Sequence, residues 1–136
     1  MDPLTRLTEY FRRFPGIGPR QAKRFSYFLL RQSQETLEKF CNDILALRSS
    51  VKQCTSCFIY FSSTITATLC EDCRSETTNK SQVLVVEKDV DVESIKQSGV
   101  YNGVYFILGG TIPILEKNPV DKVRLRDLLR RLAAKN

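Results

Sequence analysis

The sequence predicts an α+β chain in three parts. These are an N-terminal helical bundle over residues 1–50, a small four-cysteine zinc ribbon over 51–76, and a partial α/β parallel sheet over 81–136. Three observations carry this. Apolar residues recur at helical spacing up to Ser50 and are interrupted once, at Pro15-Gly16-Ile17-Gly18-Pro19. Two Cys-x-x-Cys pairs follow, with twelve residues between them. Two β-branched runs then alternate with helical patterns, as a parallel sheet requires. At 136 residues, with no apolar run of spanning length, one domain or two to three very small ones are the possible organisations.

Asp2-Pro3 starts the first helix, a capping carboxylate followed by proline at the first helical position. Leu4, Leu7, Phe11 and Phe14 share its apolar face, and the helix must end before Pro15. Gly16 and Gly18 free the backbone for a tight hairpin, and Pro19 opens a second helix. Ile17 would plug the gap between the helices, and Ala22 is small enough to let them cross closely. This Pro-Gly-Ile-Gly-x-x-x-Ala run resembles a helix-hairpin-helix motif. Without side chains at Gly16 and Gly18, the amides near the helix start can approach a phosphate oxygen, and the helix dipole favours the anion. Arg20, Lys23 and Arg24 add charge-assisted contacts to neighbouring phosphates. None of these groups reads a base, so binding is expected to be independent of sequence. A plain helical hairpin with a glycine turn is the alternative.

Phe25, Phe28 and Leu29 continue the second helix. Ser33 caps a third, whose stripe of Leu37, Phe40, Cys41, Ile44 and Leu45 predicts packing against the first two. Cys41, on that stripe, reads as a small core residue.

Cys54-Thr-Ser-Cys57 and Cys70-Glu-Asp-Cys73 each supply two sulfurs from one tight turn, as a closed tetrahedral zinc site needs. The chain has no histidine, so a metal must be held by sulfur, and no position is open for water, which makes the site structural. Two disulfides or four free thiols are the alternatives. The Phe, Tyr, Ile and Thr residues of 58–69 suit a short β-ribbon holding the pairs side by side. The N-terminus carries no secretory pattern, which points to a reducing cytoplasm.

Arg74 to Gln82 is polar and reads as a linker. Val83–Val86 is expected to be a strand buried on both faces, followed by a helix from Asp89 to Ser98 with Val92 and Ile95 inward. Gly103–Leu108 is a second strand, stopped by Gly109-Gly110. After a loop containing Pro113 and Pro119, Asp121 is expected to cap a last helix carrying Val123, Leu125, Leu128, Leu129 and Leu132. Glu87 sits at the carboxyl end of the first of these strands, where α/β sheets place functional groups. Asp89, Asp91 and Glu93 read as a solvated acidic loop, so Mg²⁺ is not expected there.

The net charge of +6 is uneven. Residues 1–31 carry seven Lys/Arg against Asp2 and Glu9, a local +5, and residues 121–136 a local +4. A cationic N-terminal part points to a polyanionic partner, most simply a nucleic-acid backbone, with a solvated basic surface as the alternative.

The order of these parts, glycine hairpin, four cysteines, then Val-Val-Glu opening an α/β unit, resembles the bacterial recombination mediator family RecR, whose third part is a Toprim domain. The resemblance implies a non-enzymatic DNA-binding scaffold in recombinational DNA repair. It would work with RecO and RecF to help RecA displace single-strand-binding protein, in the cytoplasm at the nucleoid. It also implies dimers or ring-like tetramers around single- or double-stranded DNA. Arg20 and Arg24 match the family's basic residues after the hairpin, Cys54, Cys57, Cys70 and Cys73 its zinc ligands, and Glu87 its first Toprim glutamate. The family's aspartate pair lies on a later strand, beyond Asn136, so the chain reads as C-terminally shortened: a truncated product, an engineered fragment or a naturally short member. Thr111–Lys117 also replaces the family's usual Ser-Pro-Leu-Asp-Gly. These departures put ring assembly and partner binding in question. The rival readings are a Mg²⁺-dependent Toprim-type nuclease or primase using Glu87, and a zinc-ribbon module whose only partner is protein.

Overall fold

A computed structural model describes residues 1–63, 66–119 and 122–134 and divides the chain into two units, Met1–Leu47 and Arg48–Asn136. The expected helix cap at Asp121 lies outside the described residues.

The first unit begins with α1 (Pro3–Arg12) and α2 (Pro19–Leu30). Asp2 caps α1, accepting from the Thr5 amide at 3.1 Å. Gly16 holds a left-handed φ of +74°, which lets the chain reverse after Phe14. Gly18 is the N-cap of α2, with Pro19 in its first turn. The two helices meet where Ala22 and Ser26, both fully buried, remove bulk from the crossing. There Thr8 Oγ1 and Ser26 Oγ lie 2.8 Å apart, and Phe11 packs edge-on to Phe14 and Phe25, each at 5.6 Å.

The third helix, α3 (Gln34–Ser50), corrects an expectation. Its apolar stripe faces a groove of about 730 Å³ lined also by Leu7, Phe11 and Leu29. No residue of α3 is buried: Phe40 is 46% exposed, Ile44 49% and Leu45 72%. Cys41 is exposed and is not a core residue. The stripe has the right period, but two short helices with small residues at their crossing offer too little surface to cover it.

In the second unit, β1 (Val51–Gln53) pairs antiparallel with β2 (Tyr60–Ser62). The ribbon therefore brackets the first cysteine pair, where the sequence placed it between the two pairs. The short α4 (Glu71–Arg74) carries the second pair. A parallel two-stranded sheet follows, β3 (Asn79–Val86) beside β4 (Gly103–Ile107), with α5 (Asp89–Ser98) between them in the chain. The expected linker thus ends earlier than its polarity suggested, since Asn79 to Gln82 belong to β3, with a register irregularity between Asn79 and Val83. Nor is β3 buried on both faces: Val85 is 41% exposed, because β3 has one strand neighbour among the described residues. The strand buried throughout is β4, which centres a core of Val86, Val92, Tyr105 and Ile107. The last helix, α6 (Leu125–Ala134), starts after Val123, which is buried ahead of it. Among the described residues no helix is long and apolar enough to cross a membrane.

Candidate metal centre and nucleic-acid face

Each cysteine pair is shaped by its own backbone. The Cys54 amide donates to Ile59 O at 2.8 Å and the Phe58 amide to Cys54 O at 3.0 Å, which closes the first turn. Cys70 is the N-cap of α4, and the Arg74 amide donates back to Cys70 O at 3.1 Å. The Thr55 amide, donating to Thr68 O at 3.0 Å, draws the two turns together. As a result the four sulfur atoms all lie within 4.8 Å of one another, with Cys54, Cys57 and Cys70 buried. Cys57 Sγ and Cys70 Sγ are 3.6 Å apart, and all four cysteines are free. A tetrahedral ion with four sulfurs at about 2.3 Å sets them about 3.8 Å from one another. A disulfide needs about 2.05 Å. The cluster fits a metal ion, and the Cys57–Cys70 separation is too long for a disulfide.

Electrostatics favours the same conclusion. Hydrogen bonds from Cys57, Cys70 and Cys73 hold the Cys54 thiol well below its ordinary value. The same sharing with Cys54 pushes Cys57 and Cys73 up. For Cys70 the raising effect of Cys54 is outweighed by hydrogen bonds with Cys57 and Cys73, and its thiol falls to about 7. Four sulfurs this close share protons unless a cation takes their charge.

The predicted phosphate-facing residues lie in the other unit, on the start of α2. Gly16 and Gly18 are exposed, and a Cβ added at either would meet nothing within 4 Å. Gly18 makes no side-chain cap, and Pro19 has no amide, so the Arg20 and Gln21 amides open the helix uncapped. Arg20, Lys23 and Arg24 are exposed on one helical face. Among the described residues none of the three pairs with a carboxylate, and Arg24 Nη1 donates only to Gln21 Oε1 at 3.3 Å. Sequence reasoning stopped this face one turn short. Tyr27 and Arg31 continue it at the same spacing, both exposed, and with Arg24 they line a shallow groove of about 560 Å³. The signal was in the sequence: positions 20, 23, 24, 27 and 31 form one helical stripe.

Glu87 is half-buried at the end of β3, its side chain 3.9 Å from Lys88 Nζ and its carbonyl accepting from the Gly109 amide at 2.9 Å. Its acidic neighbours are occupied in holding structure. Asp89 Oδ1 accepts from the Tyr60 amide at 3.2 Å, and Asp91 Oδ2 from the Lys88 amide at 3.1 Å. Among the described residues the only metal-capable grouping is the four cysteines.

The family model described as "RecR, helix-hairpin-helix" matches residues 4–47. The curated recombination protein RecR of Herpetosiphon aurantiacus is 37% identical over 132 residues, 96% of this chain and 62% of that protein. Its counterpart in Synechococcus sp. (strain WH7803) is 36% identical over 134 residues, 98% of this chain and 65% of that protein. That of Roseiflexus castenholzii is 34% identical over 132 residues, 97% and 62% respectively. The chain thus spans a little under two thirds of the length of these relatives. With the hairpin matched by the family's own model and nearly every residue aligned to its members, the chain is similar, over the stretch it spans, to the RecR family.

Proposed function

We propose that this chain is a non-enzymatic, sequence-independent DNA-binding scaffold in recombinational DNA repair. The observation that carries the reading is the open start of α2. Two exposed glycines, uncapped first-turn amides and three cations without carboxylate partners face one direction. A phosphate oxygen satisfies the amides, and the guanidinium groups of Arg20 and Arg24 grip its neighbours, with Lys23 adding a point charge. Nothing on this face matches the edge of a base, so affinity rests on the backbone and on counterion release.

The metal is Zn²⁺, one ion per chain, held by Cys54, Cys57, Cys70 and Cys73. Four sulfurs, no nitrogen donor and no open position support a structural role. The relatives' printed name, recombination protein, supports placing the chain in recombination. RecO- and RecF-like proteins are then its protein partners, with Glu87 at the partner-facing end of the sheet, and the bacterial cytoplasm at the nucleoid is its location. The uncovered apolar stripe of α3 supports assembly into a homo-oligomer.

The test is fluorescence anisotropy with unrelated duplex and single-stranded oligonucleotides over a salt series. The Arg20→Ala/Arg24→Ala double variant should bind every sequence more weakly and flatten the dependence of log affinity on log salt by about two phosphate contacts. Unchanged binding would move the DNA face elsewhere. Sequence preference, or loss confined to one oligonucleotide, would overturn the backbone-reading mechanism.

A further inference from the structure

The first cysteine turn ends on Phe58, which holds a φ of +65°, a region that residues with side chains rarely adopt. Contacts from far along the chain hold it there. Its ring packs edge-on to Phe106 at 5.5 Å, and the Arg124 guanidinium lies 4.9 Å from the ring centre. Arg124 is itself anchored, Nη1 donating to Ile107 O at 2.9 Å. Arg131, on α6, reaches inside the turn: Nη1 donates to Ser56 O at 3.0 Å and to Tyr105 O, on β4, at 2.9 Å. The Ile107 amide completes the seam by donating to Cys57 O at 2.9 Å. The second turn is held from α5. Lys96 Nζ lies 2.5 Å from Asp72 Oδ2, and Asp72 stands between Cys70 and Cys73.

These contacts do two things at once. They fix the backbone of both turns and so set where the four sulfur atoms stand. They also set three cations, Arg124, Arg131 and Lys96, around a centre whose four thiolates and one divalent ion carry a net negative charge. We propose that Arg131, Arg124 and Lys96 are positioning residues of the metal centre, so that its affinity is set by α5 and α6 as well as by the two cysteine turns. The inference rests on the metal reading above. Outer groups of this kind are typically worth a factor of 10 to 100 in metal affinity.

The experiment titrates the full reduced chain with Co²⁺ alone and then displaces it with Zn²⁺ against a chromophoric chelator. Wild type should give the absorption of a tetrahedral four-thiolate Co²⁺ centre. Arg131→Ala should bind about 10- to 100-fold more weakly, with a shifted thiolate charge-transfer band. Arg131→Lys, which keeps the charge and one donor, should recover part of the loss. Lys96→Met should weaken binding less, since the backbone of its turn is also held by α4. Arg130→Ala, removing an equal charge from an exposed α6 position whose carboxylate partner among the described residues is Asp127, should bind as wild type. Wild-type affinity and spectrum in Arg131→Ala would overturn the inference and leave the metal reading standing. Equal losses in Arg131→Ala and Arg130→Ala would replace positioning by diffuse charge and also overturn it. No four-thiolate spectrum in the wild type would overturn the metal reading itself, and this proposal with it.

Discussion

In Met1–Leu47 the buried residues are Phe11, Ala22 and Ser26; in Arg48–Asn136 a whole strand, Val104 to Ile107, is buried together with three cysteines, Val86, Val92 and Val123. Both regions are too small to build a generous core. The second compensates by cross-linking. A sulfur cluster, an aromatic wedge at Phe58 and two arginines at backbone carbonyls tie the ribbon to the sheet. The first has no such staple, and its third helix shows an apolar stripe to the outside. An apolar residue at the right helical position is buried only if some surface faces it. Small domains meet that condition through a metal, or through a second molecule.

The largest effect should come from removing the staple. Stripping the metal with a strong chelator, or making Cys57→Ser, should abolish the cooperative unfolding of Arg48–Asn136 while leaving the helical signal of α1 and α2. Structural zinc sites contribute on the order of 10 kcal/mol. Near-ultraviolet circular dichroism, which reports Tyr101 and Tyr105 at 5.2 Å, separates this loss from the helical far-ultraviolet signal. Acid should act in the same direction. Protons compete with the metal for the four thiolates, so metal should be released more readily as the pH falls. Equal melting of both regions on chelation would erase the contrast between them.

Next come paired truncations, one in each region. Phe106→Ala empties a fully buried site and should cost about 3–5 kcal/mol in thermal or chemical unfolding. Phe40→Ala, at a position 46% exposed, should cost almost nothing at high dilution. At high protein concentration its cost should grow and its mass in sedimentation should fall, because the stripe of α3 then has a partner to lose. A concentration-independent cost for Phe40→Ala would mean that α3 is covered within one chain, and the comparison would collapse.

The smallest effect is local. Gly16→Ala meets no neighbour, yet must hold a φ of +74°, so it should destabilise the helical region by about 1 kcal/mol. Gly18, with φ at −82°, carries no such strain. A Gly16→Ala chain as stable as wild type would show that the hairpin relaxes into another turn.

Much of this was legible in the residues. Asp2-Pro3, the paired glycines, the Cys-x-x-Cys turns, the helix from Asp89 to Ser98 and the apolar run of β4 all appear where the sequence put them. Each is decided within a few residues, by a cap, a permitted φ, a donor spacing or a period, and such signals do not need the rest of the chain. The tertiary structure alone decided what faces what. It left Cys41 and its stripe open, began β3 at Asn79 and put the ribbon around the first cysteine pair. It also sent Arg131 to a carbonyl 75 residues away. Burial and long-range hydrogen bonds depend on the approach of distant segments. An arginine that closes such a contact looks, in a string of letters, the same as one dissolved in water.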